Sequence, residues 1–481
     1  MSLTGNIAAR VAARRVRRMR QNASAPQAVQ RRIFERLLSQ LRKTSFGHAH
    51  ELASVRCHAD LIRAIPLQDY QSLRPWWDRA RQGERDVIWP GLTKFWAISS
   101  GTTSGEKYLP VTAATIRNNK RGGFDSLAPY LAANGGGLFD GKLLFLGGST
   151  ALRQDGGIFT GDNTGIMSRH VPTCLRGLHA PDARIRAMPS WEEKVTAAAA
   201  QTATADLRML AGVPSWIILF GEAVLKHCQS TGRQVDTLAE VWPNLRLFVH
   251  GGVTFAPYAE RCRALIGREI TYTDTYSASE GGMLAVQDQV GEPGMLPLLD
   301  RSTFFEFVPA EELGKPDARR FACHEVETNV DYAIALTTDS GIVSYLVGDI
   351  VRFTSREPLR MVFAGRSAQT LNGFGEHLSG GELERAIASA AAATEAIVSE
   401  FAVAVTYPTE TQPMGGHRYL VEFHREPSDQ DQFGRVLDQA LRDGNEDYAT
   451  HRDYGLLAPT IDSLPEGAFL AFMRQQGKIG G

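Results

Sequence analysis

The stretch Glu269-Ile270-Thr271-Tyr272-Thr273-Asp274-Thr275 runs without a break into Tyr276-Ser277-Ala278-Ser279-Glu280-Gly281-Gly282. Its first half is β-branched and aromatic and has the length of a strand; its second half is small, hydroxylated and acidic, closed by a glycine pair. A strand that empties into such residues is where open α/β sheets hold their ligands. The pattern recurs upstream. Residues 142–146 form an apolar strand ending in Gly147-Gly148, and residues 245–249 form another closed by Gly251-Gly252. Between them, Ser190 and Glu193 make a capping box ahead of an Ala-rich helix reaching about Leu210 and stopping near Gly212-Val213-Pro214. Residues 216–220 read as a further strand, followed by a helix to about Thr231-Gly232. The alternation predicts an α/β protein built on an open sheet.

From about Thr303 the texture changes. Residues 304–308, 321–327, 332–337 and 342–353 alternate and carry turn signals, among them Thr338-Asp339-Ser340-Gly341, which predicts a β-barrel-like subdomain over about 303–365. Beyond Gly365-Arg366, helices at 382–393, 429–441 and 466–476 alternate with strands at 396–407 and 418–424. The expected organisation is a large N-terminal α/β domain over 1–366, a hinge over 367–376 and a small mobile α+β C-terminal lid over 377–481.

Composition narrows the function classes. The 481 residues carry 52 Lys+Arg against 53 Asp+Glu, a net charge of −1, which argues against general nucleic-acid binding, since phosphate neutralisation needs an excess of cations. No apolar run approaches the roughly 18–20 uncharged residues of a spanning helix, so no membrane partner is expected. Five cysteines, at positions 57, 174, 228, 262 and 323, include no C-x-x-C pair, which fits reduced thiols in the cytoplasm. The first 50 residues are Arg-rich, with Glu35 as their single acid. They are read as a solvated helix face whose Arg stems cover Val11, Val16, Ile33 and Leu37, with an organelle transit peptide or contact with an anionic surface as the alternatives. His48 and His50 lack a third metal ligand nearby, and Cys323-His324 lacks an acid partner.

The strongest local chemical signal is Ser99-Ser100-Gly101-Thr102-Thr103-Ser104-Gly105-Glu106-Lys107. Hydroxyl and glycine positions leave O–H and backbone N–H groups free for phosphate oxygens, and Lys107 adds a positive charge. The spacing is not that of a nucleoside-triphosphatase P-loop, and taken alone the run is also an ordinary loop. Tyr276, Ser279 and Glu280 offer an aromatic platform, a phosphate contact and a Mg²⁺ ligand. Asp349, in Tyr345-Leu346-Val347-Gly348-Asp349, is placed to accept ribose hydroxyls or to serve as a turn acid; Arg366 is a guanidinium at the domain junction or a surface charge.

Together and in this order, these segments resemble the ANL superfamily of adenylate-forming enzymes. More closely, the chain is similar to a bacterial member of the auxin-responsive acyl-acid-amido synthetase family. The similarity rests on Ile65-Pro66-Leu67-Gln68-Asp69-Tyr70, Gly212-Val213-Pro214-Ser215-Trp216, Phe248-Val249-His250-Gly251-Gly252-Val253, Tyr276 through Gly281 and Phe374-Gly375-Glu376, and it runs from about residue 44 to the end. The resemblance implies ATP-dependent formation of an acyl-adenylate from a carboxylic acid, then acyl transfer to an amine or amino acid, with ATP and Mg²⁺ as cofactors. It implies nucleotide binding by Ser99, Ser100, Thr102, Thr103, Lys107, Gly251, Gly252, Tyr276, Ser279 and Asp349. Catalytic roles fall to Lys107, Glu280 and Arg366, with Glu280 also the metal ligand. Phe124, Gly148 and His250 are the expected acyl-pocket residues. A monomer is expected. The alternatives are a thioester-forming acyl-CoA ligase and an adenylate-binding protein without turnover. Two departures from the family pattern stand out. The spacing from Thr103 to Lys107 is one residue shorter than in the plant enzymes, and the sequence ends at Gly477-Lys478-Ile479-Gly480-Gly481 where the family continues into a Lys/Arg-bearing tail. Lys478 is therefore expected to contribute little to a slow adenylation.

Overall fold

The computed structural model describes residues 3–101, 105–147, 149–171, 173–253, 255–289, 291–315, 317–366, 371, 378, 380–407, 414–454 and 456–475. Its strands, in chain order, are β1 (Phe95–Gly101), β2 (Gly105–Val111), β3 (Lys142–Phe145), β4 (Arg153–Asp155), β5 (Ile158–Gly161), β6 (His179–Ala180), β7 (Leu207–Gly212), β8 (Leu247–Gly251), β9 (Thr271–Ala278), β10 (Gly282–Val286), β11 (Leu296–Pro297), β12 (Thr303–Pro309), β13 (Asp331–Thr338), β14 (Tyr345–Arg356), β15 (Leu359–Arg366), β16 (Ile397–Thr406), β17 (Gly416–Arg425) and β18 (Thr460–Leu464). The helices that matter below are α1 (Leu3–Ser24), α2 (Pro26–Leu41), α3 (Ala113–Asn134), α4 (Asn163–Arg169), α5 (Trp191–Thr202), α6 (Pro214–Ser230), α7 (Gly380–Ala393), α8 (Gln430–Gly444) and α9 (Ala468–Gln475). No helix among the described residues is long and apolar enough to cross a membrane.

The chain is an α/β protein around a seven-stranded sheet of order β11-β10-β9-β8-β7-β3-β6. β9, β8, β7, β3 and β6 run parallel, and β10 and β11 add an antiparallel edge. Buried on both faces, the parallel strands read as continuous apolar runs. Leu247 and Val249 of β8 enter one core with Leu127 and Leu131 of α3; Phe248 enters the opposite core with α5 and α6. Beyond β3 the topology reverses: the chain goes from β3 to β6 on one side, then from β7 to β8 on the other.

Three local expectations are corrected. The Ala-rich helix ends at Thr202, and a strand (β7) follows over Leu207–Gly212. Residues 216–220 are not a strand but belong to α6, where Pro214 occupies the first turn and Ile217, Ile218, Phe220, Gly221, Val224 and Cys228 are buried at helical spacing. Proline suits a helix start because its missing N–H would have no partner there, and a five-residue apolar run does not by itself separate strand from helix. Residues 321–327 form only a bridge, Phe307↔Phe321, and then a turn in which Glu325 Oε2 accepts from the Ala322 N–H at 2.7 Å.

The region read as barrel-like is a four-stranded antiparallel sheet, β12-β13-β14-β15, with bridges at Met295↔Met361 and Thr328↔Phe353 folding neighbouring segments onto its rims. Buried Glu306 of β12 accepts from the guanidinium of Arg320 (Nη2 at 2.6 Å) and from Ser344 Oγ (2.8 Å), and lies 3.0 Å from His58 Nε2. Arg320 also donates to the Ile65 carbonyl at 2.6 Å, so one ionic network ties the helical lead-in to the sheet. The N-terminal arginines are not simply a solvated face. Arg15 of α1 pairs with Asp125 (2.7 Å) and Asp300 (2.6 Å), and Arg20 with Asp288 (2.5 Å), clamping α1 onto α3 and the central sheet. Arg15 takes two carboxylates because its forked donors match them in pairs.

The C-terminal part is a three-stranded sheet, β16-β17-β18, covered by α7 and α8 around Phe433, Leu437, Tyr419 and Ile387. It meets the larger part through Arg261, which reaches Glu222 (2.6 Å) and Ser399 (2.9 Å), and through Arg474–Glu192 (2.6 Å).

Candidate active site

Ser99 and Ser100 lie on β1 and Lys107 on β2, antiparallel partners in register Ser99↔Lys107. The described ends of the predicted phosphate loop are therefore paired strands, Ser99–Gly101 against Gly105–Lys107. The side chains of Ser99 and Ser100, and all of Thr102 and Thr103, lie outside the described residues, as do Gly148, Phe374, Gly375, Glu376 and Lys478. Lys107 Nζ sits 5.7 Å from the Tyr70 ring, and the Tyr70 hydroxyl accepts from the Tyr108 N–H at 3.2 Å. Gln68, two residues earlier, exchanges backbone hydrogen bonds with Ser344 and Leu346, each 2.9 Å. The segment 65–70 thus bridges β2 to the start of β14.

β9 ends at Ala278, and Ser279, Glu280 and Gly281 make the tight turn into β10. The Glu280 carbonyl accepts from Thr338 Oγ1 at 3.3 Å, and Thr338 Oγ1 lies 2.6 Å from Ser340 Oγ. Burial pushes the Glu280 carboxyl up to about 7; the nearby Asp349 charge raises it further, against the pull of its own backbone N–H, Lys107 and Arg366. Asp349 of β14 is buried and its carboxyl is likewise raised by burial, tempered by two partners. Its Oδ2 accepts from the Tyr276 hydroxyl at 2.8 Å, and its Oδ1 lies 3.3 Å from Arg366 Nε on β15. Asp349 and Arg366 are register partners, so the pairing follows from strand alignment.

The structure brings Lys107, Tyr276, Glu280, Asp349 and Arg366 to one place where β2, β9, β14 and β15 meet. Tyr276 is buried, its ring 6.2 Å from Phe363 and its hydroxyl spent on Asp349. Gly251 is explained within the sheet: an added Cβ would come 2.3 Å from the Thr275 carbonyl oxygen. Gly252 has φ +85°, a left-handed backbone that glycine adopts without strain. Of the expected pocket residues, Phe124 and His250 are not brought together. Phe124 packs with Val249 on the α3 face, whereas buried His250 stacks on Phe255 (centroids 4.0 Å apart) on the opposite face. Successive residues of a strand point to opposite faces, and this separates them. His250 Nδ1 lies 3.5 Å from Asp274 Oδ1 without hydrogen-bond geometry. Thr338 and Gln68, which brace this cluster through the Glu280 carbonyl and the start of β14, carry no sequence signal beyond a turn motif and the 65–70 segment.

Family models match almost the whole chain in three parts: the GH3 family N-terminal domain over residues 15–188 and 165–270, the central domain over 296–366 and the C-terminal domain over 381–481. The chain belongs to the GH3 family. The motif resemblance to acyl-acid-amido synthetases is thereby borne out. Among named relatives, an indole-3-acetic acid-amido synthetase, GH3.3 of Arabidopsis thaliana, is 21% identical over 387 residues, covering 68% of this chain and 64% of that protein. A jasmonoyl–L-amino acid synthetase, GH3.5 of Oryza sativa subsp. japonica, is 25% identical over 146 residues, which span 27% of this chain and 25% of that protein. The matched region thus covers less than two thirds of either relative. In structure the fold is similar to the GH3.15 acyl acid amido synthetase, with TM-score 0.78, 17% identity, and coverage of 96% of this chain and 90% of that one. A 2-hydroxyisobutyryl-CoA ligase in the postadenylation state shares the fold more distantly, at TM-score 0.60 and 13% identity over 92% of this chain and 86% of that one.

Proposed function

We propose that this GH3 protein is an ATP-dependent acyl-acid amido synthetase that activates a carboxylic acid as its acyl-adenylate and transfers the acyl group to an amine, an amino acid above all. The observation that carries the reading is the convergence of Glu280, Asp349, Tyr276, Lys107 and Arg366 at the strand ends of a GH3 fold. The donor set fits a Mg²⁺-nucleotide. Two carboxylates near each other, one held up to about 7 by burial, gain from a divalent cation, and two cations beside them suit phosphate oxygens. Among the described residues no three His, Cys, Asp or Glu side chains cluster as a complete metal cage, which suits an ion that takes its remaining ligands from a phosphate.

In this reading Glu280 would hold a Mg²⁺ ion, whose chemistry when bound would be to supply positive charge to the phosphate oxygens. Asp349 keeps lone pairs for ribose hydroxyls beyond those facing Tyr276 and Arg366. Lys107 and Arg366 hold the phosphates and the reacting carboxylate in fixed geometry. Positioning of this kind, with charges set in place before reaction, is the main source of rate in phosphoryl and nucleotidyl transfer. No protein nucleophile enters the scheme. The C-terminal part serves as the lid that admits the amine; the expected hinge, 367–376, lies outside the described residues apart from Leu371.

The test is pyrophosphate exchange with a panel of aryl and aliphatic acids, followed by mass spectrometry of products formed with amino acids and with coenzyme A. Acid-dependent exchange and an amide product support the reading. A thioester with no amide moves the protein to the acyl-CoA ligases, and nucleotide binding without exchange on any acid makes it a binder without turnover.

A further inference from the structure

Among the described residues, two cations outside the nucleotide cluster, Lys194 and Arg186, have no carboxylate at ion-pair distance. Lys194, on α5, is only 3% exposed, yet its ammonium makes one long contact, 3.4 Å to the Gly147 carbonyl, beside the Trp191 ring at 5.8 Å. Arg186 donates from Nη1 to Ser168 Oγ at 2.8 Å, while its Nε is buried without a hydrogen-bond partner. Among the described residues neither makes an ion pair with a carboxylate. The acids whose charge bears on them are Asp162 and Asp182, and both are committed to helix starts. Asp162 Oδ1 accepts from the Thr164 N–H at 2.7 Å; Asp182 accepts from the Ile185 N–H at 2.9 Å and from Gln201 Nε2 at 2.8 Å. Desolvation lowers the pKa of both cations, and Arg176 adds like charge to Arg186. A buried cation without an ion pair is costly, so the burial of Lys194 calls for a counter-charge, which half-buried Arg186 would help to hold.

Their place in the fold supplies the rest. Both border the connection after β3: Lys194 touches the Gly147 carbonyl, the Arg186 carbonyl accepts from the Thr150 N–H at 3.0 Å, and Ser149 Oγ donates to the Ala187 carbonyl at 3.2 Å. Trp191 of the Lys194 helix packs on Trp216 of α6, which begins directly after β7, with ring centroids 4.6 Å apart. The carboxyl ends of β3 and β7 are where the connections part to opposite sides of the sheet, and such a switch point opens a ligand crevice. Three strand spacings separate β3 from β9, about 14 Å.

We propose that Lys194 and Arg186 form a carboxylate-binding subsite at the β3–β7 switch point, apart from the nucleotide cluster. Resting on the amido-synthetase reading, its ligand is a carboxylate that does not react, carried either by the acceptor amino acid or by a dicarboxylic acyl acid.

The experiment uses the full chain and two variants, Lys194→Met and Arg186→Gln. Met matches the lysine stem in shape and leaves no buried charge behind. Three ratios or affinities are read: amide formation with L-alanine against L-alaninamide, pyrophosphate exchange with succinate against butyrate, and calorimetric binding of succinate without ATP. A fall of about tenfold or more in the alanine-to-alaninamide ratio in both variants assigns the subsite to the acceptor. The same fall in the succinate-to-butyrate ratio assigns it to the acyl acid. If both variants keep both ratios and bind succinate as the wild type does, the proposal is overturned. If the wild type exchanges pyrophosphate with no acid, the amido-synthetase reading fails instead, and succinate binding still decides the subsite: weakened binding in both variants upholds it, and equal binding overturns it.

Discussion

Replacing Glu280 by Gln should make the ligand-free protein more stable at alkaline pH while crippling adenylation. Burial is the main reason that the Glu280 carboxyl sits at about 7 instead of the ordinary 4.5. A folded-state pKa above the unfolded one means that the native protein holds the proton more tightly. The associated stability is fully present below pH 4.5 and is lost as pH rises through 7. At about 1.4 kcal/mol per pH unit, ionising Glu280 in the fold carries a ceiling cost of roughly 3.5 kcal/mol above pH 8. Glu280 is partly exposed, and solvent screening brings the expected gain of the Gln variant to about 1–2 kcal/mol. Gln keeps the size of the side chain and carries no charge, so the variant gains at pH 8.5 and not at pH 4.5. The assay is the urea midpoint by tryptophan fluorescence at both pH values, with and without Mg²⁺-AMP. Wild type should recover the difference when the cation and nucleotide bind, and the variant should not. A variant no more stable than wild type at pH 8.5 would refute the desolvation argument; unimpaired Mg²⁺-dependent pyrophosphate exchange would refute the assignment of Glu280.

Asp349→Asn should weaken AMP binding about tenfold by calorimetry, because a charged acceptor loses one of its two anionic oxygens and Arg366 loses its partner; unchanged affinity would reduce Asp349 to an anchor for Tyr276. Arg320→Met should destabilise the fold by about 3–5 kcal/mol, since it leaves Glu306 buried with only His58 and Ser344 against it. Arg320→Met paired with Glu306→Leu should recover most of that loss, and urea denaturation of the single and double variants checks both. Gly251→Ala should push β8 from β9, its Cβ lying 2.3 Å from the Thr275 carbonyl oxygen, and so lower nucleotide affinity by displacing the 275–280 turn; wild-type affinity would place that turn under separate control.

The repeated strand that ends in glycine and hydroxyl residues was legible because its signal is local: β-branched runs favour extended backbone wherever they stand, and strand ends point the same way in a parallel sheet. Lys107, Glu280 and Asp349 stand out for the same reason, each sitting in a short motif whose residue types suit the proposed chemistry. Residues 216–220 resist a sequence reading because five apolar residues satisfy a strand and a buried helix equally, and only the packing of α6 against α5 and the sheet separates the two. The N-terminal arginines looked solvated because their acids, Asp125, Asp288 and Asp300, lie more than 100 residues away along the chain.

The glycine-closed ends of the parallel strands and the acidic and basic candidates therefore follow from neighbouring residues alone. Which candidates meet does not. Strand order, register and facing are set by long-range pairing: they put Asp349 opposite Arg366, send Phe124 and His250 to opposite faces of one sheet, and leave Lys194 buried at a reversal of topology with no ion-paired carboxylate among the described residues. A side chain's charge is written in its own position, but what surrounds that charge depends on segments that only folding brings to it.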